Sequence, residues 1–271
     1  MDTNSTNTSV YQCVLYGEDI FLIAGNFLLF FIGVFGNAVV LIIFHKYWKK
    51  GPVLEMLILY LALFDLLSSI TSPILFLYWI FTCYTWNLGL FLCKLLPGLV
   101  RVFTNLSIIF ILLMAIDRYK AIVDPFKKRW SKSTVHGLAF CSCLLAIAWE
   151  MHYIYFLEVN TDYGDGVCNI FDYSHIYPTL SIVFTLGRDI IFIGIMLTTS
   201  GLSYQALRRS DIRRVKTTVS DTTNESVHPR SRRVLSMLIW MFVASCIAIL
   251  PRDLFLTAYS FSYFTNAMRD R

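Results

Sequence analysis

The sequence predicts an all-α fold, a polytopic bundle of transmembrane helices. Of its 271 residues, 56% are hydrophobic and 15% are charged, whereas soluble domains carry about 25% charged residues. The apolar residues are gathered in six stretches, each longer than the roughly 20 residues that a helix needs to cross a bilayer. A water-soluble fold could not hide so much apolar surface, so the bilayer is predicted to be the solvent of most of the chain.

The apolar stretches predict six spanning helices separated by short polar segments. A polar tail precedes the first helix, and a short polar end follows the sixth. The tail, the bundle and the C-terminal end cover residues 1–18, 19–262 and 263–271, and the spans lie near 19–44, 53–82, 90–121, 135–157, 178–206 and 234–262. No seventh apolar stretch follows the sixth, so the sequence predicts either a six-span protein or an incomplete bundle.

The basic residues predict which side of the membrane each gap faces. The N-terminal tail, residues 83–89 and residues 158–177 contain no Lys or Arg. Most of the Lys and Arg residues lie in the other gaps or at the helix ends beside them: Lys46, Lys49, Lys50, Arg118, Lys120, Lys127, Lys128, Arg129, Lys132, Arg208, Arg209, Arg213, Arg214, Lys216, Arg230, Arg232 and Arg233. By the positive-inside rule these gaps are cytoplasmic and the N-terminus is extracellular, which predicts a multi-pass protein of the plasma membrane. The same one-sided recurrence argues against nucleic-acid binding.

Asparagines in the predicted outer tail indicate glycosylation. Asn4 and Asn7 each open an Asn-x-Ser/Thr tripeptide in a stretch that is too polar to pack. The same tripeptide at Asn105 lies inside a span, and that at Asn224 lies in a cytoplasmic gap. We therefore expect only the two tail sites to be modified.

Four cysteines lie on the predicted outer side. Cys93 is at the outer end of the third span and Cys168 is in the second outer loop. A bridge between them would strap that loop across the mouth of the bundle, with a stabilisation on the order of 4 kcal/mol as an upper figure. The sequence alone does not prove this pairing. Cys13 and Cys83 are the other two, and a second bridge or two free thiols both stay open.

Short motifs follow one another in a fixed order along the chain: Gly36-Asn37, Leu61-Ala62-Leu63-Phe64-Asp65, Trp86-Asn87-Leu88-Gly89 with Cys93, Asp117-Arg118-Tyr119, Pro125, Tyr204 and Pro251. Each is weak alone, but their joint spacing resembles the rhodopsin-like, class A, G-protein-coupled receptors, and the first outer loop resembles that of peptide-binding members. The resemblance runs from the first span to the sixth. It implies a rhodopsin-like bundle with six of its seven helices, a receptor rather than an enzyme, an extracellular ligand and a heterotrimeric G protein. It leaves receptor dimerisation open.

Asp65 lies in the middle of the second span, where a carboxylate costs about 2.5–3.5 kcal/mol. Asn37 and Ser107 lie at depths from which they could reach it, which resembles the sodium-binding pocket of the family. A protonated Asp65 that is hydrogen-bonded to Asn37 without an ion is the alternative, and both stay open. No other cofactor is expected, and no metal spacing occurs among the histidines, which are His45, His136, His152, His175 and His228.

Residues at the inner ends of the third and fifth spans resemble the coupling machinery of the family. The resemblance implies that Arg118 pairs with Asp117 at rest and contacts the G protein in the active state, with Tyr119 completing the triplet and Tyr204 supporting the open form. A snorkelling arginine at the lipid interface is the alternative reading of Arg118. The sixth span departs from the family pattern, because Ile249 and Ser245 replace its usual aromatic residues. We therefore expect ligand and cleft to be coupled by other contacts.

Charged residues in the outer halves of the spans are candidates for ligand binding. Val100 stands where amine receptors carry an aspartate, which argues against an amine ligand. Buried arginines could clamp a carboxylate, and the candidate ligand-binding residues are Arg101, Glu150, Arg188 and Arg252. Internal pairing of these arginines with Glu150, Asp189 and Asp253 is an equally weighted alternative. The acidic, tyrosine-bearing second outer loop favours a basic peptide as the ligand.

Other functions have weaker support in the sequence. No seventh span and no Asn-Pro-x-x-Tyr motif occur, so we expect an incomplete or truncated receptor, and a non-signalling product that dampens full-length receptors is one alternative. A six-span transporter or channel is another, but spans one to three are not repeated in spans four to six. An enzyme is not expected, because neither paired carboxylates at one depth nor a Gly-rich phosphate loop is present.

Overall fold

The computed structural model describes most of the helical bundle. The described residues are 17–45, 51–124, 126–161, 166–171 and 176–217, together with helical positions between 233 and 258. Among these residues, five helices are long and apolar enough to cross a membrane by length and composition. The predicted all-α bundle is therefore confirmed.

The helices follow the order of the predicted spans. They are α1 (Gly17–His45), α2 (Val53–Phe81), α3 (Gly89–Val123), α4 (Lys132–Phe156) and α5 (Ile176–Thr217). We call the described helical positions between 233 and 258 α6, which includes the apolar segment Phe242–Pro251. Helix α5 extends eleven residues beyond the predicted end at 206, because residues 202–217 contain neither Gly nor Pro and include good helix formers such as Leu and Arg.

The ends of α4 and α2 have local causes. Helix α4 begins after Ser131, whose hydroxyl accepts a hydrogen bond from the Thr134 amide at 3.1 Å and so caps the first turn. Helix α2 ends in a turn in which Cys83 and Tyr84 have φ angles of 54° and 62°. Residues other than glycine rarely adopt this left-handed region of backbone conformation. The Tyr84 amide donates back to the Trp79 carbonyl at 2.6 Å, which holds the turn.

A short β-hairpin was not predicted from the sequence. Strands β1 (Leu157–Asn160) and β2 (Val167–Ile170) pair antiparallel, with Leu157 opposite Ile170. Four-residue strands between two long helices have too few alternating positions to give a period-two signal. The hairpin packs through Leu157 and Cys168 into a buried cluster with Trp86 and Cys93 at the outer end of α3.

The main core lies among α2, α3, α4 and α5. Phe110 of α3 is fully buried and stacks on two rings of α2, with centroids 5.3 Å from Tyr60 and 5.5 Å from Phe64. Met56 of α2 and Met196 of α5 belong to the same cluster. Helix α3 therefore lies at the centre of the described bundle, and it contributes residues to each of the candidate sites.

Candidate functional site

A buried carboxylate joins α3 to α4 in the outer half of the bundle. Glu150 is 1% exposed, and each of its two carboxylate oxygens accepts a hydrogen bond. Arg101 Nε donates to Oε2 at 2.5 Å, and Asn105 Nδ2 donates to Oε1 at 2.6 Å. The Arg101 guanidinium also lies over the Tyr153 ring, 4.3 Å from its centroid. Glu150 therefore orients two side chains of α3, one helical turn apart.

Arg188 continues this arrangement to α5 and α6. Its Nη1 donates to Asn105 Oδ1 at 3.3 Å, and its Nε and Nη2 donate to Asp189 Oδ1 at 3.0 and 2.9 Å. Its Nη2 also donates to Asp253 Oδ2 of α6. We call the connected set of six residues the ion network; its members are Arg101, Asn105, Glu150, Arg188, Asp189 and Asp253. It links four helices through hydrogen bonds between side chains.

Burial makes each member of the ion network depend on its partners. The Arg188 and Asp253 side chains are 11% and 3% exposed. Removing one partner of a buried ion pair typically costs about 3–5 kcal/mol, because the other charge is left without compensation. Of the two alternatives for the arginines, the structure shows internal pairing for Arg101 and Arg188. Arg252 lies outside the described residues, and contact of these side chains with a ligand stays a prediction.

The pocket around Asp65 differs from the expected arrangement in one partner. Ser107 of α3 donates its hydroxyl to Asp65 Oδ1, as the predicted pocket requires. Asn37 does not bond Asp65 in the described part of the chain; its amide donates to the Gly33 carbonyl of its own helix at 2.9 Å. Asp65 and Ser107 offer oxygen atoms, which suit a hard cation, but two ligands are fewer than such an ion normally takes. Bound sodium therefore stays a prediction.

The Asp-Arg-Tyr triplet forms the predicted pair at the inner end of α3. Arg118 Nε donates to Asp117 Oδ2 at 3.0 Å, and its Nη2 donates to the same oxygen. Asp117 is 4% exposed and the Arg118 side chain is 15% exposed. An arginine that is held by a buried carboxylate in this way is not simply snorkelling to the interface. Tyr204, on the inner part of α5, is 60% exposed.

The loop after the triplet carries a fully exposed aromatic ring. Phe126 is 101% exposed and is followed by exposed Lys127, Lys128 and Arg129. Lys127 Nζ donates to Asp124 Oδ2 at 2.9 Å. This hydrogen bond and the charge of Asp124 raise the pKa of the Lys127 ammonium group above its ordinary value. The loop therefore presents an apolar side chain within a positively charged surface.

The outer disulfide is present. Cys93 and Cys168 are bridged with their Cα atoms 5.7 Å apart, which ties strand β2 to the outer end of α3. Cys83 is also disulfide-bonded, whereas Cys13, the partner considered for it, lies outside the described residues. The glycosylation candidates Asn4 and Asn7 and the loop residue Pro125 lie outside them as well.

Sequence reasoning missed two residues of these sites. The sequence predicts only that Asn105 opens a glycosylation tripeptide that is not used, yet its side chain joins the two halves of the ion network. The sequence indication for Asn105 was a side-chain amide inside a span, one helical turn after Arg101 and at the same depth as charged residues in neighbouring spans. The sequence did not predict a role for Phe126, because this loop was identified by its basic residues alone. Its signal was a large apolar residue in an otherwise polar loop.

The chain matches a known family over most of its length. The model of the family described as 7 transmembrane receptor (rhodopsin family) covers residues 36–270. Similar curated proteins are type-1 angiotensin II receptors. The chain is 32% identical to the type-1 angiotensin II receptor B of Mus musculus over 195 residues, which is 68% of this chain and 53% of that protein.

Two further relatives give the same result. The type-1 angiotensin II receptor of Homo sapiens is 30% identical over 194 residues, 68% of this chain and 53% of the receptor. The type-1 angiotensin II receptor A of Xenopus laevis is 31% identical over 173 residues, 60% of this chain and 46% of the receptor. The chain spans about half the length of the curated relatives it matches. With 235 of its 271 residues matched by the family model, the chain belongs to the rhodopsin family of seven-transmembrane receptors.

Proposed function

We propose that the protein is a plasma-membrane receptor, with its N-terminus outside the cell, that passes the signal of an extracellular peptide to heterotrimeric G proteins. One observation carries this proposal beyond family membership. Helix α3 bears the ion network in its outer half and the Arg118–Asp117 pair at its inner end. Arg101 and Arg118 are 17 residues apart, about 25 Å along one helix. In this proposal, helix α3 carries a change at the outer network to the Arg118–Asp117 pair.

A basic peptide is the proposed ligand class. The relatives are named as receptors for angiotensin II, a peptide. In this chain, residues 158–177 contain Glu158, Asp162, Asp165 and Asp172 but no Lys or Arg. A loop with this composition attracts cations and repels anions at the mouth of the bundle. The disulfide from Cys93 to Cys168 holds part of this loop above α3.

The proposed G-protein surface lies on the cytoplasmic side around the inner end of α3. The exposed Phe126 ring supplies an apolar contact, and the neighbouring Lys and Arg residues supply positive charge. Arg208 and Arg209, both exposed on α5, add to the same charge. A partner with an apolar pocket bordered by acidic residues fits this chemistry. Tyr119 and Tyr204 are assigned to this surface as well, on the family pattern.

Sodium binding at Asp65 is the proposed ion site of the resting state. Its support is the carboxylate in mid-span with the Ser107 hydroxyl bonded to it. The Gly33 carbonyl, which accepts from Asn37, lies on the neighbouring helix. A cation at Asp65 would offset the unfavourable burial of the carboxylate. We expect sodium to stabilise the parent chain but not the Asp65→Asn variant. An equal stabilisation of the parent and the variant by sodium would argue against the site.

Nucleotide exchange tests the receptor function. The chain in lipid nanodiscs, mixed with purified G protein, is expected to accelerate nucleotide exchange above the rate with empty discs, and Arg118→Ala is expected to abolish the acceleration. Angiotensin II is the first peptide to test for a further increase, because the relatives bear its name. If the rate of nucleotide exchange is the same for Arg118→Ala as for the parent chain, the coupling role of Arg118 is refuted. If the rates with and without the chain are identical, the receptor function is refuted.

A further inference from the structure

A cavity of about 290 Å³ lies among α3, α4 and α5, and we call it the apolar groove. Helix α3 lines it from Asn105 to Ile116, eleven residues that rise about 16 Å along the helix. Asn105, Trp149 and Arg188 form its outer end, and the rest of its lining is hydrocarbon or aromatic. Nearly all of the surface that faces the groove is apolar. The groove therefore favours hydrocarbon over polar groups.

The apolar groove is open toward the bilayer. Two of its lining residues, Leu145 of α4 and Ile191 of α5, are 55% and 51% exposed. On spanning helices such side chains meet lipid, because the hydrocarbon region contains no bulk water. An unfilled cavity would also deprive its lining of dispersion contacts. The groove is therefore suited to the apolar part of a molecule that comes from the membrane.

The dimensions of the apolar groove favour one extended chain. Its volume of about 290 Å³ is at the low end for small-molecule sites, which range from about 300 to 1,000 Å³. That volume is spread over about 16 Å of α3, so the groove is long and narrow. A single acyl chain fits this shape better than a fused ring system does.

Two basic residues lie where the apolar groove meets the inner side of the membrane. Arg209 is exposed and follows Ile191 by eighteen residues, which is five helical turns, so both are on one face of α5. Lys120 is exposed and follows Ile116 by one turn on α3. Its Nζ lies 4.6 Å from the centroid of the Trp130 ring, shortly before α4 begins. The lipids of the cytoplasmic leaflet are partly anionic, so these cations match their headgroups.

We propose that the apolar groove binds one acyl chain of an anionic phospholipid of the cytoplasmic leaflet, and that Arg209 and Lys120 bind its headgroup. The end of the chain lies against Trp149 and covers Asn105 and Arg188 from the membrane side. The assignment to the cytoplasmic leaflet rests on the proposed orientation of the chain. The binding of the lipid does not depend on the proposed receptor function.

Quenching of Trp149 fluorescence by brominated lipids measures the occupancy of the groove. The chain is placed in phosphatidylcholine nanodiscs with a minor fraction of phosphatidylserine, or of phosphatidylcholine, that is brominated near the ends of its acyl chains. The difference between the parent chain and Trp149→Phe gives the contribution of Trp149. We expect brominated phosphatidylserine to reach half-maximal quenching at a lower fraction than brominated phosphatidylcholine, by about fivefold for each basic residue that binds the headgroup. Equal fractions for the two lipids refute the proposal.

Charge variants test the headgroup contacts. Arg209→Gln and Lys120→Gln are each expected to lower the preference for phosphatidylserine about fivefold, because each removes one cation near the membrane surface. Lys94→Gln removes a cation from the outer end of α3 and is expected to leave the preference unchanged. An equal loss of preference in Lys94→Gln would show that the total charge of the chain decides it, and would refute the assigned headgroup site.

Bulky substitutions test whether the acyl chain lies in the groove. Leu145→Phe narrows the groove and is expected to lower the quenching of Trp149, whereas Leu144→Phe, at a 54% exposed neighbour outside the lining, is the matched control. Ile191→Phe and its control Ile190→Phe, at a 69% exposed position, repeat the comparison on α5 if thermal unfolding shows that a variant on α4 does not fold. Equal quenching in a folded groove variant and its control refutes the proposal.

Cholesterol distinguishes the acyl chain from a sterol. Added to the nanodiscs as a minor component, it is expected to leave the quenching of Trp149 by brominated phosphatidylserine unchanged. Protection of Trp149 by cholesterol in the parent chain but not in Leu145→Phe would identify a sterol as the occupant and would refute the proposal. Because these experiments contain neither peptide nor G protein, failure here is separate from failure of nucleotide exchange, which concerns the proposed function.

Discussion

At the scale of single residues, several buried polar side chains of this chain each have more than one partner. Asn105 is the clearest case, since one amide donates to Glu150 and accepts from Arg188. It lets an ion pair between α3 and α4 and another between α5 and α6 act as one unit. A charged residue in its place would have served one pair and opposed the other.

We predict that Asn105→Ala destabilises the bundle by about 1–3 kcal/mol, because it leaves a buried carboxylate oxygen of Glu150 and a guanidinium nitrogen of Arg188 without a partner. Thermal unfolding of the chain in nanodiscs measures the change. The matched control is Asn37→Ala, because among the residues that the structure describes that amide bonds the Gly33 carbonyl of its own helix and no other group. Equal losses in the two variants would contradict the bridging role of Asn105.

Phe126 leads to the opposite kind of prediction, since it is fully exposed and contributes nothing to the core. Phe126→Ala is expected to leave thermal unfolding unchanged and to lower the acceleration of nucleotide exchange several-fold, because the apolar contact with the G protein is lost. Phe140→Ala, at a 65% exposed position of α4, serves as the control and should change neither quantity. If Phe126→Ala accelerates nucleotide exchange as strongly as the parent chain, the Phe126 ring has no part in docking the G protein.

At the scale of elements, the hairpin and the helices differ in how far they could be predicted. Each helix had to reach across the bilayer with its backbone hydrogen bonds satisfied, so a long apolar run sufficed to predict it. The strands β1 and β2 are held instead by contacts that are distant in sequence, including the Cys93–Cys168 bridge and the Trp86 amide donating to the Gly166 carbonyl. Local patterns in Leu157–Ile170 carry no trace of those partners.

The hairpin is therefore expected to depend on its disulfide. Cys168→Ser should release β2 from α3 and raise amide hydrogen exchange across β1 and β2, while the helical cores of α2 and α3 keep their protection. The chain-entropy account limits the loss of stability to about 4 kcal/mol, and less is expected because helices in lipid are already restricted. Cys141→Ser, at an exposed free cysteine of α4, is the control. Protection that survives in Cys168→Ser would show that packing alone holds the hairpin.

At the scale of the whole molecule, one helix, α3, carries two buried polar sites, one in each of its halves. The charges at both ends of α3 could be picked out from the sequence, because an ionisable residue in a span is rare and usually functional. Their partners could not be predicted from the sequence, because Arg101 and Arg188 could pair either with a ligand or with Glu150, Asp189 and Asp253. Only the relative rotation of four helices decides between those alternatives, and composition contains no information about rotation.

The orientation of the whole molecule yields the last prediction. The gaps rich in Lys and Arg are expected to stay in the cytosol, which places the N-terminal tail outside and exposes Asn4 and Asn7 to glycosylation. Treatment of the chain from cell membranes with an endoglycosidase should lower its apparent mass, and the variant Asn4→Gln/Asn7→Gln should migrate at that lower mass without treatment. Asn224→Gln is the control, because its predicted position is cytosolic, and it should not change the mass. If the enzyme leaves the mass unchanged, and if an epitope on the tail is protected from protease in sealed cells, the N-terminus lies inside the cell. The proposed peptide and G-protein surfaces would then face the wrong compartments.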